Sequence, residues 1–259
     1  MKKVLFLGKK KNLIFLIDQL KKNYKNISIS QTEKKITLKT ISSYDLVISF
    51  GYRHIIEEKI IKKTKRPIIN LHISYLPFNK GAHPNFWSFA ENTPSGITIH
   101  EINSQIDEGN ILFQKIINFD LYKNKKKLTY ENTYKILINE IQKLFLQNAK
   151  KIINNKYMSF PQIGKGSFRS KKDLPLILKS WKQNIFNTSI KFNNLRKKNI
   201  KRRLDILNQI ENTRKKNNIN WMNIVRTSIK NSPKNTINIL KKITSDDKKI
   251  MGLFKKLSK

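Results

Sequence analysis

Residues 67–77, PIINLHISYLP, join a short apolar run to a long segment of irregular composition. Pro67 opens a run that is typical of a buried strand, and Asn70 and His72, two positions apart, share one face of such a strand. Residues 73–95 are rich in Pro, Gly, Asn and aromatic side chains and fit neither the helical nor the strand period. Ordered loops of this length are usually functional. The stretch therefore predicts a buried strand with two polar side chains near its end, followed by a functional loop.

Two apolar runs of the same kind precede this strand. They cover residues 3–7 (KVLFL) and 44–50 (YDLVISF), and helical spacing of apolar side chains follows over residues 12–24 and about 54–63. Strands that alternate with helices in this way predict an α/β domain with an open twisted sheet, mostly parallel, and helices on its faces. Ligands of such sheets bind beyond the carboxyl ends of the strands, which is where the polar pair just described is expected.

The composition changes along the chain and divides it into three parts. Residues 1–155 contain the alternating strands and helices and form the expected α/β domain. Residues 156–195 hold scattered Pro and Gly and predict an irregular connecting arm. Residues 196–259 show helical periodicity and predict a basic, helical C-terminal appendage. Within it, Ser232-Pro233 and Ser245-Asp246-Asp247 mark expected helix starts.

The charge of the chain is strongly positive and unevenly distributed. The 259 residues carry 54 Lys and Arg against 17 Asp and Glu, a formal net charge of +37. Residues 1–120 hold 19 basic and 10 acidic side chains, whereas residues 121–259 hold 35 and 7. A nucleic-acid partner is one explanation. The other is the codon bias of an A+T-rich genome, since 46 Lys, 40 Ile and 30 Asn accompany only 3 Ala and 3 Val. Codon bias acts evenly along a chain, so part of the C-terminal excess is expected to be functional.

Composition also excludes several classes of protein and of site. An apolar content of 38% is enough for a packed core and excludes full disorder. The lack of Cys excludes disulfides, thiolate metal sites and Cys nucleophiles. The apolar runs are too short for a transmembrane helix, and residues 9–11, all Lys, interrupt the N-terminal apolar region before it reaches signal-peptide length. A cytoplasmic protein is therefore expected. The four His, at positions 54, 72, 83 and 100, have no metal-ligand spacing, so no metal site is predicted.

A second polar stretch follows the long loop. Residues 96–100, GITIH, alternate like a strand, residues 110–119 predict another strand, and Asp107 lies in the turn between them. Alone, an Asp in a turn often bonds only its own backbone. Together, the patterns N-x-H-x-S-x-L-P from Asn70, G-x-T-x-H from Gly96 and D-x-G-x-I from Asp107 resemble, in order and separation, the formyltransferases that use 10-formyltetrahydrofolate. That family includes the glycinamide ribonucleotide, methionyl-tRNA and sugar N-formyltransferases.

The resemblance covers roughly residues 1–120 and implies a Rossmann-like formyltransferase fold with 10-formyltetrahydrofolate as the formyl donor. In formyl transfer an amine attacks the formyl carbon, and an oxyanion develops on the formyl oxygen. The amide of Asn70 is the expected donor to that oxyanion, and His72 is the expected proton-transfer group. Asp107 is expected to orient His72 or to hold a relay water. The reaction requires neither a metal nor a covalent enzyme intermediate.

The resemblance also implies where the donor and the acceptor bind. The pterin is expected between the loop after the second apolar run and the turn before Asp107, which comprise Gly51, Tyr52, Arg53, His54, Ile55, Gln105 and Ile106. The acceptor is expected at the first strand–helix turn, where backbone amides and lysines favour phosphate, and on the loop after His72. These substrate-binding candidates are Lys9, Lys10, Ser74, Tyr75, Leu76, Pro77, Lys80 and Gly81.

The identity of the acceptor amine is open at the level of the sequence. The loop HISYLPFNKGAHPNFWSF, residues 72–89, resembles that of sugar N-formyltransferases of bacterial surface-polysaccharide biosynthesis, so a nucleotide-linked amino sugar is the first expectation. The Lys-rich turn at residues 9–11 departs from the Gly- and Ser-rich loop of the ribonucleotide enzyme. A methionyl-tRNA formyltransferase-like enzyme is the alternative, although its second domain is normally a β-barrel and residues 196–259 predict helices. An inactive formyltransferase-like domain with an RNA-binding basic tail is the alternative from another class. A homodimer also remains open.

Overall fold

The computed structural model describes residues 1–122 and 124–257. They divide into two compact units, Met1–Asn194 and a second unit that begins at Leu195. The principal helices and strands are, in chain order, β1 (Lys2–Leu7), α1 (Lys10–Asn23), β2 (Ile27–Thr32), α2 (Leu38–Ser42), β3 (Leu46–Ser49), α3 (Glu58–Ile61), β4 (Ile69–His72), β5 (Lys80–Gly81), α4 (Pro84–Ala90), β6 (Gly96–Glu101), β7 (Ile111–Ile116), α5 (Tyr130–Ile153), β8 (Phe168–Arg169), α6 (Ile185–Asn231) and α7 (Pro233–Leu257).

Six strands of the first unit form one mixed sheet in the order β2-β1-β3-β4-β6-β7. The pairs β1–β2, β1–β3 and β3–β4 are parallel, whereas β4–β6 and β6–β7 are antiparallel. The prediction of a mostly parallel α/β sheet with a helical C-terminal region is confirmed. Strand β4 is displaced along the sheet, so that Asn70 pairs with Ser49, the last residue of β3. The polar pair on β4 therefore lies level with the carboxyl end of the neighbouring parallel strand.

Each face of the sheet carries its own apolar core. Leu71 of β4 and Ile99 of β6 belong to the larger core, together with buried side chains of α1, α4 and α5. A smaller core on the opposite face includes Leu7, Ile68 and buried side chains of α2 and α3. Because side chains alternate along a strand, the larger core takes every second position of β4 and β6 and leaves the polar positions to the other face.

The long loop predicted over residues 73–95 contains two short elements. Strand β5 pairs in parallel with β8, which brings the arm predicted over residues 156–195 onto this loop. Helix α4 begins at Pro84, a residue that suits the first helical turn. Its side chains Phe86 and Trp87 are almost fully buried and belong to the larger core. The loop is therefore held on both sides by packing.

Several element boundaries differ from the predictions. Strand β2 and helix α2 were not expected, because β2 is half-buried throughout and lacks the strong apolar run of its neighbours. The helix expected over residues 54–63 is only the four residues of α3, and the strand expected over residues 110–119 ends at Ile116. Helix α1 lies close to its predicted range, residues 12–24.

The second unit consists of helical chain from Leu195 onwards, belonging to α6 and α7. The expected helix start at Ser232-Pro233 is confirmed, because α7 begins at Pro233. The expected start at Ser245-Asp246-Asp247 is wrong, because α7 continues through these residues. Acidic residues favour a helix N-terminus only weakly and do not end a helix that packing supports. Within the described part of the chain, none of the helices is both long and apolar enough to cross a membrane.

Candidate active site

Three polar side chains that are distant along the chain converge on one face of the sheet. The Nδ2 of Asn70 lies 3.4 Å from Oδ1 of Asp107, and the Nδ1 of His72 lies 3.7 Å from Oδ2 of the same carboxylate. All three side chains are largely shielded from solvent: 10% of the His72 side chain and 13% of the Asp107 side chain are exposed. The structure thus brings together the three residues to which catalytic roles were assigned.

Asp107 occupies the loop between β6 and β7 with φ of 54°, in the left-handed region. The backbone amide of Gly81 donates a hydrogen bond of 2.9 Å to its Oδ2. Gly81 is one of the predicted acceptor-binding residues, and in the structure its amide holds the carboxylate of Asp107. The loop after β4 is therefore tied directly to Asp107.

The backbone of the Asp107 loop is fixed by Gln162 of the arm. The Nε2 of Gln162 donates to the carbonyl oxygens of Asp107 and Gly109, at 2.8 and 3.0 Å. Gly109 passes so close to β6 that a Cβ atom there would lie 1.8 Å from the carbonyl oxygen of Glu101. Asp107 is thus held in its left-handed conformation by Gln162 of the arm and by the close contact of Gly109 with β6.

His100 is the fourth member of the cluster. It lies on β6, and its ring is 1% exposed. Its Nδ1 lies 2.7 Å from the carbonyl oxygen of Glu101, its Nε2 3.1 Å from Nδ2 of Asn70 and 3.7 Å from Oδ1 of Asp107. A carbonyl oxygen only accepts, so Nδ1 carries the proton and Nε2 accepts from Asn70.

Burial is the main reason that the pKa of His100 is lowered from 6.5 to about 4. The neighbouring ring of His72 lowers this pKa further, while Asp107 and the Glu101 carbonyl oppose the shift. His100 is therefore neutral at pH 7, as its hydrogen bonds require. A neutral, fixed tautomer obliges the side chain of Asn70 to present its NH2 group to the ring.

The carboxylate of Asp107 remains ionised despite its burial. Desolvation alone raises the pKa of Asp107, but His72, His100, the Gly81 amide and Lys80 together hold it below its ordinary value of 3.8. Asp107 is thus suited to orient the ring of His72, whose Nδ1 lies 3.7 Å from Oδ2.

His72 has one ring nitrogen directed at Asp107 and one without a partner. Its Nε2 is buried and makes no hydrogen bond to any described residue. Its ring meets that of His100 edge-on, with centroids 6.0 Å apart at 87°. A histidine held through Nδ1 by a carboxylate and free at Nε2 can take up and return a proton at Nε2.

The residues expected to hold the pterin lie on two loops beside this cluster. Gly51, Arg53, His54, Ile55, Gln105 and Ile106 are exposed, and Ile55 and Ile106 present 77% and 48% of their surface. The hydroxyl of Tyr52 is already engaged: it donates to the carbonyl oxygen of Lys34 at 2.8 Å and accepts from the amide of Ile36 at 3.1 Å. Tyr52 thus fastens the segment between β2 and α2, a role that the sequence did not suggest.

The residues expected to bind the acceptor fall into two groups. Ser74, Leu76 and Pro77 are buried, and Thr98 of β6 ties this segment down by donating to the Ser74 carbonyl oxygen at 2.6 Å and accepting from the Leu76 amide at 3.2 Å. The more accessible candidates are Lys9, Lys10, Tyr75 and Lys80. Of these, Lys80 is ion-paired with Glu108 at 2.8 Å.

A cavity of about 530 Å³ opens next to this segment. Its walls include Ile73, which follows His72, and His83, which comes two residues after Gly81. Trp181 of the arm closes another side. Among residues 1–122 and 124–257, no three His, Asp or Glu side chains are arranged to hold a metal ion.

Comparisons with known proteins find a matching family and related structures. A family model described as formyl transferase matches residues 19–136. The structure of the formyltransferase PseJ from Anoxybacillus kamchatkensis, in complex with UDP-4,6-dideoxy-4-formamido-L-AltNAc and tetrahydrofolate, is 36% identical in sequence. Its TM-score is 0.63, and the similarity covers 71% of this chain and 95% of that chain.

Two curated relatives match shorter parts of this chain. The bifunctional polymyxin resistance protein ArnA of Wigglesworthia glossinidia brevipalpis is 37% identical over 109 residues, 40% of this chain. The dTDP-4-amino-4,6-dideoxyglucose formyltransferase of Mycobacterium bovis is 26% identical over 133 residues, 51% of this chain. The chain spans only 16% of the length of the first relative and 54% of the second.

Proposed function

Because the chain belongs to the formyltransferase family, we propose that it transfers a formyl group from 10-formyltetrahydrofolate to the amino group of a nucleotide-linked amino sugar. One observation carries the proposal: Nδ2 of Asn70 and Nδ1 of His72 lie 3.4 and 3.7 Å from the carboxylate oxygens of Asp107, at the end of β4. These side chains supply the two functions that acyl transfer to an amine needs, a donor to the oxyanion and a path for the proton.

The formyl donor supplies the carbon that the amine attacks. Asn70 has two amide hydrogens, of which one meets Nε2 of His100 and the other makes the longer, weaker contact of 3.4 Å with Asp107. The bond to His100 keeps the amide in place, and the second hydrogen then bonds the developing oxyanion in preference to its long contact with Asp107. Asn70 thereby stabilises negative charge that exists only during the reaction.

His72 moves the proton. Its partnerless Nε2 takes the proton that the attacking nitrogen loses and returns it to the folate nitrogen as the bond between that nitrogen and the formyl carbon breaks. Asp107 stabilises the imidazolium that forms in between, through the 3.7 Å approach to Nδ1. The products are a formamide and tetrahydrofolate, so atoms and charge balance without a further reactant.

The choice of acceptor is supported by likeness to PseJ, the 36% identical enzyme that was crystallised with a UDP-linked formamido sugar. The alternative of a tRNA-charged amino acid lacks comparable support. From Leu195 to Leu257 the described chain is helical and contains no β-strand, in contrast to the β-barrel expected of a tRNA-specific relative.

The test is to incubate the protein with 10-formyltetrahydrofolate and a panel of amines: amino-sugar nucleotides, charged tRNA and glycinamide ribonucleotide. Formylation of the amino-sugar nucleotide is the expected result. Asp107→Asn should lower kcat by about 10²- to 10⁴-fold, the usual contribution of acid–base catalysis. Asp18→Asn, the same change at an exposed position of α1, is the matched control and should leave turnover unaltered. Transfer to charged tRNA alone would refute the choice of acceptor, and full activity of Asp107→Asn would refute the site.

A further inference from the structure

We propose that the helical unit beyond Asn194 binds peripherally to the surface of an anionic lipid bilayer. Exposed apolar side chains of α6 and α7 enter the boundary between the headgroups and the acyl chains, and lysine and arginine side chains contact the lipid phosphates. The inference concerns residues outside the catalytic cluster, so it is independent of the proposed formyl transfer.

The second unit has no apolar core within the part of the chain that the structure describes. Beyond Asn194 none of the described apolar side chains is buried, and Thr236 is the one buried residue among those described there. Helices α1 and α5 of the first unit, by contrast, bury an apolar side of their own. Because a protein helix gains most of its stability by packing such a side, we expect a surface outside the chain to cover the apolar side chains of this unit.

Large apolar side chains are exposed along both helices of this unit. On α6, Leu204 and Leu207 keep 53% and 50% of their surface exposed, and Trp221 keeps 46%. On α7, Ile239 and Met251 keep 59% and 63%. Single exposed apolar residues are ordinary on a protein surface, but their recurrence along two helices without a core marks an interaction surface.

Helix α7 separates its lysines from its apolar side chains. At about 3.6 residues per turn, Lys234, Lys241 and Lys248 fall on one side of the helix, and Ile239 and Ile243 fall on the opposite side. All three lysines are exposed. A helix with lysines on one face and apolar side chains on the other is the kind that lies in the plane of a membrane interface.

The charge of the unit is complementary to an anionic surface. Residues 195–259 hold 19 Lys and Arg against 4 Asp and Glu, whereas residues 1–194 hold 35 against 13. The net positive charge per residue is therefore about twice as high in the second unit. Two copies of such a surface repel each other, while an anionic surface attracts it. The charge thus disfavours a second copy of this chain as the covering partner.

The type of apolar side chain favours lipid over nucleic acid. Proteins that bind single-stranded nucleic acid stack aromatic side chains on the bases. Among the described side chains beyond Asn194, the exposed large apolar ones are Leu, Ile and Met apart from Trp221. Such side chains do not stack on bases, but they gain free energy when they leave water for acyl chains. Together with the positive charge, they indicate an anionic bilayer.

The experiment is co-sedimentation of the full chain with lipid vesicles. One set of vesicles contains phosphatidylcholine alone, and the other contains phosphatidylcholine mixed with anionic phosphatidylglycerol. The chain should sediment with the mixed vesicles and not with phosphatidylcholine alone, and added NaCl should weaken the binding. Combining Ile239→Gln with Met251→Gln removes two exposed apolar side chains and should lower the partition coefficient by about tenfold or more.

Matched variants of α1 control for the two kinds of change. Combining Ile14→Gln with Phe15→Gln alters two side chains that are similarly exposed and should leave binding unchanged. Replacing all three lysines in Lys234→Gln, Lys241→Gln and Lys248→Gln should weaken binding by about tenfold or more. The triple change Lys21→Gln, Lys22→Gln and Lys25→Gln lowers the net charge equally, also at exposed positions, and should not. Far-ultraviolet circular dichroism should show unaltered helix content in each variant.

Three kinds of result would overturn the inference. The first is equal binding to both kinds of vesicle, or no binding to either at low salt. The second is an equal loss of binding in the variants of α1 and α7. The third is a different partner: poly-uridylate RNA bound by a chain that does not sediment with the mixed vesicles, or a dimer without vesicles that Ile239→Gln with Met251→Gln dissociates.

Discussion

The amide nitrogen of Asn70 lies 3.1 Å from Nε2 of His100, directly across the antiparallel pairing of β4 and β6. The other ring nitrogen of His100 is committed to the carbonyl oxygen of Glu101 at 2.7 Å. Because Nδ1 of His100 must donate to the carbonyl oxygen, its Nε2 can only accept a hydrogen bond. The NH2 group of Asn70 therefore faces Nε2 even when no ligand is bound.

Removing the hydrogen-bond acceptor Nε2 of His100 should leave the side chain of Asn70 without a fixed orientation. In His100→Leu the ring is replaced by an apolar side chain of similar size, which cannot accept from Nδ2. We expect kcat for formyl transfer to fall by about 10- to 100-fold, the usual effect of misplacing a group that acts on the transition state. His100→Gln offers a carbonyl oxygen in place of Nε2 and should recover part of the loss. Steady-state kinetics of both variants measure this. Equal activity of His100→Leu and His100→Gln would contradict the role given to Nε2 of His100 as a hydrogen-bond acceptor.

His100 should also make the folded state sensitive to mild acid. The pKa of His100 is about 4 in the folded chain and about 6.5 in the unfolded chain, so the unfolded state binds more protons between these values. The contribution to stability is therefore fully present above pH 6.5 and is lost as the pH falls towards 4. It amounts to about 3 kcal/mol between pH 7 and pH 4.

Urea denaturation at pH 7 and at pH 4 measures this sensitivity. Carboxylates such as Asp107, whose pKa is lowered in the folded state, also reduce the free energy of unfolding as the pH falls, with or without His100. The comparison is therefore between the unaltered chain and His100→Gln, which cannot titrate at this position. The free energy of unfolding should fall more steeply in the unaltered chain, and identical falls would contradict the buried neutral state of His100.

Gln162 should influence catalysis although it contacts no reacting group. Gln162→Ala removes both bonds to the Asp107 loop and should lower kcat by roughly tenfold, because the carboxylate is then less well placed. Gln162→Glu keeps the shape but not the two donated hydrogen bonds and should behave like Gln162→Ala. Gln147→Ala removes an exposed glutamine of α5 and is the control, which should leave kcat unchanged. If Gln162→Ala merely lowered the melting temperature and left kcat unchanged, a purely structural role would be indicated.

Gly109→Ala should displace the Asp107 loop from β6. The new Cβ would lie 1.8 Å from the carbonyl oxygen of Glu101, a backbone atom that cannot turn aside. We expect a loss of about 2–4 kcal/mol in the free energy of unfolding, together with reduced formyl transfer. Gly164→Ala is the control: its φ is 93°, but its Cβ would meet no atom within 4 Å, so only backbone strain of about 1–2 kcal/mol is expected. Equal losses at both positions would show that the close approach at Gly109 is unimportant.

The convergence at the site was predictable from short patterns, because Asn70, His72 and Asp107 sit in motifs with characteristic order and spacing. The strand that carries the first two is also visible in the sequence, since apolar residues surround it. His100 belongs to the G-x-T-x-H pattern, but its bond to Asn70 depends on the register of β4 against β6, which the sequence of one strand alone does not determine.

Contacts made by the arm could not be predicted. Gln162 lies 55 residues from Asp107 in the sequence, in a segment without periodicity. Its place is set by pairings of the arm with distant strands, namely Phe160 with Ile111 and β8 with β5. Tyr52 is a similar case, since a tyrosine on an exposed loop gives no sign that its hydroxyl fastens the segment before α2. The buried state of Leu76 and Pro77 depends likewise on Thr98 of a later strand.

The register of β6 limits how this chain can vary in length. Ile97 and Ile99 point into the apolar core, and Thr98 and His100 point to the site. Inserting or deleting one residue within β6 would exchange these two sets, placing an imidazole in hydrocarbon and an isoleucine against a carboxylate. Changes of length should consequently be confined to the connecting segments, so that strands keep their residue count while loops diverge.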